Sequence, residues 1–280
     1  MIIFKPHQPL LIHLSFLKNK GKKIIFIPTM GALHQGHISL LQNKIEANNI
    51  IVSCIFVNPT QFNNSKDFEK YPSSIEKDIY ELEKAETNLL FLPSVEEIYP
   101  NGTIKKYHYD LGYLETILEG TYRPGHFQGV CQVVERFIQI VEPDVLVLGQ
   151  KDYQQCMVIK KLVNIIGVPV KIIIGETIRE KDGLAMSSRN VRLNDKDREK
   201  AALIYKTMLD IKQQIKQGSL KAIKTNAVKA LTNAGFTVDY VEIANAETLE
   251  IIDESNNNTR LVILIAAFIN GVRLIDNLVV

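Results

Sequence analysis

The chain has 280 residues, 46% of them apolar, and 33 Lys+Arg against 31 Asp+Glu leave a net charge of +2. That length suits one large or two modest domains, and the apolar share excludes a disordered chain. The near-neutral balance lacks the basic excess of a dedicated nucleic-acid binder, while leaving room for a local basic pocket that takes a small anion.

The first stretch, "MIIFKPHQPLLIHLSF", is apolar in patches. Lys5, Pro6, His7 and Pro9 interrupt it and no small-residue cleavage site follows, so it is not read as a signal peptide. "KKIIFI" (22–27) is short and β-branched, bounded by Gly21 and Pro28, and predicts a buried strand. "HISLLQNKIEANN" (37–49) predicts an amphipathic helix with Ile38, Leu41 and Ile45 on one side. "IIVSCIFV" (50–57) predicts a second buried strand, stopped by Asn58-Pro59. Together they form a βαβ unit with a right-handed crossover. The pattern recurs with a helix over 73–86, a strand at 88–92, a strand at 144–149, a helix from Lys151 and a strand at 168–174. Continuously apolar strands alternating with helices indicate a parallel sheet covered on both faces, a Rossmann-like α/β domain over 1–175.

Beyond 175 the pattern changes. Two polar-faced helices, about 195–217 and 219–234, are parted by Gly218-Ser219. Strands at 236–244, 261–269 and 272–280 follow, with "ESNNNT" (254–259) as a loop. Asn270-Gly271 is a two-residue hairpin signal. A smaller α+β domain over 176–280 is expected, with 175–190 between the two. The run "LVILIAAFI" (261–269) is far below the roughly 20 residues that span a bilayer. Cys54, Cys131 and Cys156 are dispersed and odd in number, against a disulfide framework and in keeping with a reducing compartment. A soluble, cytoplasmic protein is expected, with no membrane partner.

In open parallel sheets, ligands bind at the carboxyl ends of the strands near a topological switch. Three polar clusters fall at such ends. In "PTMGALHQGH" (28–37), glycines let the backbone approach a ligand, and a helix start offers N–H groups to an anion. Gly31 and Gly36 have Walker A spacing, but His37-Ile38 replaces Lys-Ser/Thr, and the pattern is not G-x-G-x-x-G. His34 and His37 share one face if helical, so both can point at one phosphate, or they are simply satisfied helix-start histidines. Without a third ligand nearby they make a poor zinc site. "FVNPTQF" (56–62) offers Asn58 and Gln61 to hydroxyl or carboxylate oxygens, or is a plain turn. "LGQKDYQQ" (148–155) sets Lys151 and Asp152 at a helix start, where a cation opposes the dipole by roughly 0.3–1 kcal/mol. Lys151 there is either a phosphate ligand or a solvated helix-end residue. "LAMSSRN" (184–190) holds two hydroxyls and an Arg, a phosphate clamp or a polar turn after Gly183. "YRPGHFQG" (122–129) carries Arg123 and His126 in a lid or a connection.

Read together, "PTMGALHQGH", "FVNPTQF", Tyr71-Pro72, "LEGTYRPGHFQGV", "GQKDYQQ" and "GLAMSSRN" resemble, in order, the motifs of the pantothenate synthetases, also called pantoate–β-alanine ligases. The first and last also resemble the HIGH-type loop and KMSKS-like counterpart of the wider nucleotidylyltransferases. The resemblance implies a two-step reaction: pantoate and ATP form pantoyl adenylate and pyrophosphate, and β-alanine then displaces AMP. It implies cytoplasmic homodimers that use Mg²⁺ with ATP, with metal contacts mostly through ATP oxygens and no residue assigned as a metal ligand. Carried over by residue, it makes His37 the proton donor, with His34 and the loop Met30, Gly31, Ala32, Leu33, His34, Gln35, Gly36 and His37 around the phosphates. Lys151 would hold the departing β- and γ-phosphates, and Met186, Ser187, Ser188 and Arg189 would close on them. Gly149, Gln150 and Asp152 would lie near the ribose, and the backbone of Ile178 at the adenine. Gln61, Gln155 and Asn58 would take pantoate, with Gln61 also near the amine, and the second domain would cover the acyl adenylate. One departure is Ser73, where the family often has Arg after Tyr-Pro. Asp78 is noted as a carboxylate neighbour without a role. The rival readings are another nucleotidylyltransferase, whose phosphorylated substrate needs more basic residues; a class I aminoacyl-tRNA synthetase, which needs a tRNA-binding extension; and a nucleotide sensor without turnover.

Overall fold

The computed structural model describes residues 1–42, 48–63, 65–104, 107–215, 219–254 and 259–280. Ile45 in the expected first helix, residues 216–218 at the expected helix junction and most of the "ESNNNT" loop lie outside them. Two compact units are present: Met1–Gln150 with Gln154–Glu176, and Lys151–Tyr153 with Thr177–Val280.

The first unit is built on a parallel sheet. Its strands are β1 (Ile2–Phe4), β2 (Lys23–Thr29), β3 (Asn49–Ile55), β4 (Leu89–Phe91), β5 (Val145–Gly149) and β6 (Lys171–Gly175), in the order β1-β4-β3-β2-β5-β6. The apolar runs are continuous because both faces are covered. Ile24 and Phe26 pack into one core with helix residues such as Phe137 and Leu162, while Ile25 and Ile27 pack into another with Leu41 and Leu82. From β2 the chain builds outward through β3 and β4, then crosses back to lay β5 on the other side of β2, with Ile25 opposite Val145. The switch point therefore lies between β2 and β5, where the carboxyl ends of neighbouring strands diverge to opposite sides.

Three of the elements of this unit that were not expected bear most on its fold. β1 is a three-residue edge strand paired with β4. It leads into α1 (His7–Asn19), where Pro9 sits in the first turn, a place where its missing N–H costs no helical bond. The third is α7 (His126–Val141), nearly all of it buried. The stretch 122–129 thus connects two helices and supplies the first turn of the second. A short helix α6 (Glu119–Tyr122) ends there, and His126 to Gly129 form the first turn of α7.

In the second unit, the helix expected over 195–217 is two, Asp195–Ala201 and Leu203–Gln214, and a third helix spans Leu220–Asn233. They pack on an antiparallel sheet β7 (Thr237–Asn245), β8 (Leu261–Ile269) and β9 (Val272–Val279), ordered β7-β8-β9. Asn270 (φ 46°) and Gly271 (φ 76°) both take left-handed backbone, as a type I′ hairpin requires.

Candidate active site

After β2 the backbone turns sharply. Gly31 has φ 81°, and a Cβ there would stand 3.0 Å from Asp78 Oδ2 and 3.1 Å from Ile55 Cγ2, so glycine is required. Ala32 follows at φ 49°. Asp78, on α4 (Ile75–Lys84) and only 1% exposed, holds this strained segment: Oδ2 accepts from Ala32 N and Oδ1 from Leu33 N, both at 2.8 Å. Ser74 Oγ donates to Oδ1 at 3.0 Å. Asp78 is therefore an organiser of the loop, a role no local spacing announces. Ser73 lines a cavity of about 210 Å³ with Met30, Gly31 and Asp78.

His34 is not helical. It is the extended N-cap (φ −138°, ψ 174°) of α2 (Gln35–Leu41), so the expectation of two histidines sharing a helical face is corrected. The rings meet all the same, with centroids 4.0 Å apart. His34 Nδ1 accepts from Gly36 N at 3.1 Å, and His37 Nδ1 accepts from His34 N at 3.3 Å. This reciprocal arrangement is a capping box made of imidazoles. Both halves of the sequence reading meet here. The rings satisfy the helix start, and because each Nδ1 accepts, the N–H of each neutral ring is on Nε2. Two Nε2–H donors on neighbouring rings, tilted 37° to one another at a helix mouth, suit an anion.

The turn after β3 is a 3₁₀ turn, Pro59–Gln61, capped by Asn58. Asn58 is buried, and its amide is wholly engaged by the protein. Nδ2 donates to Gln61 Oε1 (3.0 Å) and Gly129 O (3.1 Å), while Oδ1 accepts from Thr60 N, Thr60 Oγ1 and Tyr99 OH (2.8 Å). Asn58 therefore shapes the turn from beneath and does not face a substrate. Burial pushes the Tyr99 phenol up to about 12, against the Thr60 hydrogen bond, so it remains a donor. Gln61 Nε2 reaches Met30 Sδ at 3.1 Å, which joins this turn to the loop after β2. Gly149 ends β5, and a Cβ there would make only an ordinary contact, 3.9 Å from Leu40 Cδ1 of α2. Gln155 is half-buried on α8 (Tyr153–Ile166).

The remaining predicted residues belong to the second unit, except Gln150, which closes the first. Lys151 and Asp152 lie in a 3₁₀ turn, Gln150–Asp152, with Lys151 Nζ 3.9 Å from Asp152 Oδ2. The carbonyl of Lys151 accepts from Asn277 Nδ2 at 2.8 Å, and Tyr153 OH donates to Ala246 O at 2.6 Å. Ile178 O accepts from Met186 N, and Arg179 pairs with Ala185, so residues 178–186 double back through Gly183 (φ 94°). Arg179 anchors this hairpin: it stacks on Tyr205 and binds buried Asp276 at 2.5 and 3.0 Å. Ser187 caps the next 3₁₀ turn, Ser188–Arg192, accepting from Arg189 N at 3.3 Å. Asn277 and Asp276 carry no sequence signal for this role; both lie in an apolar strand at the far end of the chain.

A doubly covered parallel sheet with a glycine-and-histidine helix mouth at its switch point is a nucleotide-binding α/β fold of the HIGH nucleotidylyltransferase type. A sequence model described as pantoate-beta-alanine ligase matches residues 3–279. The pantothenate synthetase of Cytophaga hutchinsonii is 46% identical over 100% of this chain and 99% of its own. A crystal structure of pantothenate synthetase from Thermus thermophilus superposes with a TM-score of 0.88 at 36% identity, covering 99% of each chain. The pantoate-beta-alanine ligase of Francisella tularensis, crystallised with beta-gamma ATP and beta-alanine, superposes with a TM-score of 0.80 at 38% identity, covering 99% of this chain and 97% of that one. The chain belongs to the pantoate–β-alanine ligase family. No helix among the described residues is long and apolar enough to cross a membrane.

Proposed function

We propose that this chain joins pantoate to β-alanine with ATP, giving pantothenate, AMP and pyrophosphate. The observation that carries the proposal is the imidazole capping box at the mouth of α2, in a chain that matches the family over nearly its whole length. In the first step a pantoate carboxylate oxygen bonds to the α-phosphorus and the bond to pyrophosphate breaks. An anion attacks an anion, so donors aimed at the phosphoryl oxygens lower the barrier. The Nε2–H groups of His34 and His37 and the N–H groups of the 30–37 loop are suited to that task, with His37 as proton donor. In the second step the β-alanine amine bonds to the acyl carbon, the bond to AMP breaks and the amine releases a proton.

The family resemblance supports the other roles. Lys151 holds the departing phosphates, with Ser187, Ser188, Arg189 and Met186 on the same groups. Gly149, Gln150 and Asp152 take the ribose, and the Ile178 backbone takes the adenine. Gln61 and Gln155 bind pantoate. ATP enters as its Mg²⁺ complex. Asp78, the buried carboxylate beside the loop, is engaged by backbone N–H groups, and no cluster of three His, Cys, Asp or Glu side chains stands among the described residues. The family resemblance supports an ion held mostly through ATP oxygens. The same resemblance supports a cytoplasmic homodimer, and the three buried cysteines, none in a disulfide, agree with a reducing compartment.

The test is product analysis by mass spectrometry after incubation with ATP, pantoate and β-alanine. Pantothenate with AMP is expected. ADP as coproduct, or ATP binding without any condensation product, would overturn the reading.

A further inference from the structure

The turn that carries Gln61 is fastened by the first turn of α7. His126 is 4% exposed, and its Nδ1 lies 2.8 Å from the carbonyl oxygen of Gln61. A carbonyl only accepts, so Nδ1 carries a proton. Its Nε2 lies 3.0 Å from Arg123 Nη1, and a guanidinium only donates, so Nε2 is bare. Both contacts are met by one species alone, the neutral imidazole protonated on Nδ1. Arg123 is held in turn by the buried carboxylate of Glu119, with Nη1 3.4 Å from Oε2.

One helical turn further on, the two backbones touch. A Cβ on Gly129 would stand 2.2 Å from Thr60 O and 2.8 Å from Gln61 Cα. The Gly129 carbonyl accepts from Asn58 Nδ2 at 3.1 Å, so helix and turn share a seam without room for a methyl group. The turn is only three residues long and is capped by Asn58, so it has few ways to adjust on its own.

We infer that His126 is a positioning residue for the acid substrate: locked by Arg123, it fixes the main chain of Gln61 and so the direction of the Gln61 amide. This rests on the reading of Gln61 as a pantoate ligand. His126 makes no contact with substrate in this account; its effect is on KM for pantoate and not on ATP.

The test is steady-state kinetics on purified full-length variants, with each substrate varied in turn. In His126→Asn the amide nitrogen stands where Nδ1 stands and still donates to Gln61 O. In His126→Gln it is displaced outward, and His126→Ala has no donor. The Ala and Gln variants are expected to raise the pantoate KM by roughly three- to tenfold, the worth of one hydrogen bond, with the ATP KM within about twofold of the parent. The Asn variant is expected to return the pantoate KM to within about twofold. Gly129→Ala, which drives the turn away from the same side, is expected to raise the pantoate KM at least as much. Should the Ala variant fail to fold, the Asn and Gln pair decides. The inference is overturned if Asn is no better than Gln, if both KM values rise together, or if Gly129→Ala leaves the pantoate KM unchanged. A parent enzyme that makes no pantothenate, or a Gln61→Ala variant with normal pantoate KM, would instead refute the underlying reading of the site.

Discussion

Replacing Asp78 with Asn tests how the loop between β2 and α2 is held. The carboxylate is buried, and it accepts two backbone N–H bonds at 2.8 Å and the Ser74 hydroxyl at 3.0 Å. Asparagine keeps the shape but turns one oxygen into a donor, which then faces either Ala32 N–H or Leu33 N–H. One buried N–H loses its acceptor, at about 1–3 kcal/mol. The surviving bond loses its charge assistance, roughly half its strength. The sum is roughly 2–4 kcal/mol, and at about 2–4 °C per kcal/mol for a unit of this size the melt should fall by roughly 5–15 °C. The released segment includes Ala32 at φ 49° and leads directly into His34, so the ATP KM should rise more than the pantoate KM. Thermal melts and initial rates with each substrate varied provide the assay. A variant that melts with the parent and keeps its ATP KM would refute the assignment of Asp78 as the loop's anchor.

Three further outcomes are expected. His37→Ala should lower kcat by about a hundredfold with the fold retained, the usual effect of deleting one transition-state donor, and near-normal turnover would remove His37 from the chemistry. Gln61→Ala should raise the pantoate KM and leave the ATP KM alone; equal loss of both in initial-rate assays would make Gln61 structural. The Arg198 guanidinium bound to Asp182 holds that carboxyl below its usual range, so the pair's contribution is full above the unfolded-state value and is lost as pH falls through the folded one. The pair is largely exposed, so the contribution stays within about 0.2–1 kcal/mol, and Asp182→Asn should lower the urea midpoint slightly at neutral pH and flatten the acid side of its profile, the two proteins converging in acid.

The parallel sheet was legible because its strands are buried on both faces, and such strands read as unbroken apolar runs such as "KIIFI" and "VLVLG". The Asn270-Gly271 hairpin was legible because few residues tolerate two successive positive φ values. The N-terminal strand was not, since three residues at an edge carry no period. Helix α7 was legible and was missed: Gln132, Glu135, Arg136 and Gln139 recur at helical spacing as a polar stripe on an otherwise buried helix. At the site, the glycines and histidines announced the loop, but their supports did not. Asp78, Tyr99, His126 and Asn277 act across 41 to 126 positions of sequence, through single hydrogen bonds that leave no local pattern. Asn58 was misread for a related reason: a turn dipeptide looks the same whether its amide faces a ligand or the chain beneath it.

The most direct test of acyl-adenylate chemistry at the imidazole pair is exchange of radiolabelled pyrophosphate into ATP with pantoate present and β-alanine withheld. The account predicts exchange that depends on pantoate and falls with the His37→Ala substitution. Exchange that requires β-alanine, or that survives His37→Ala at the parental rate, would contradict it.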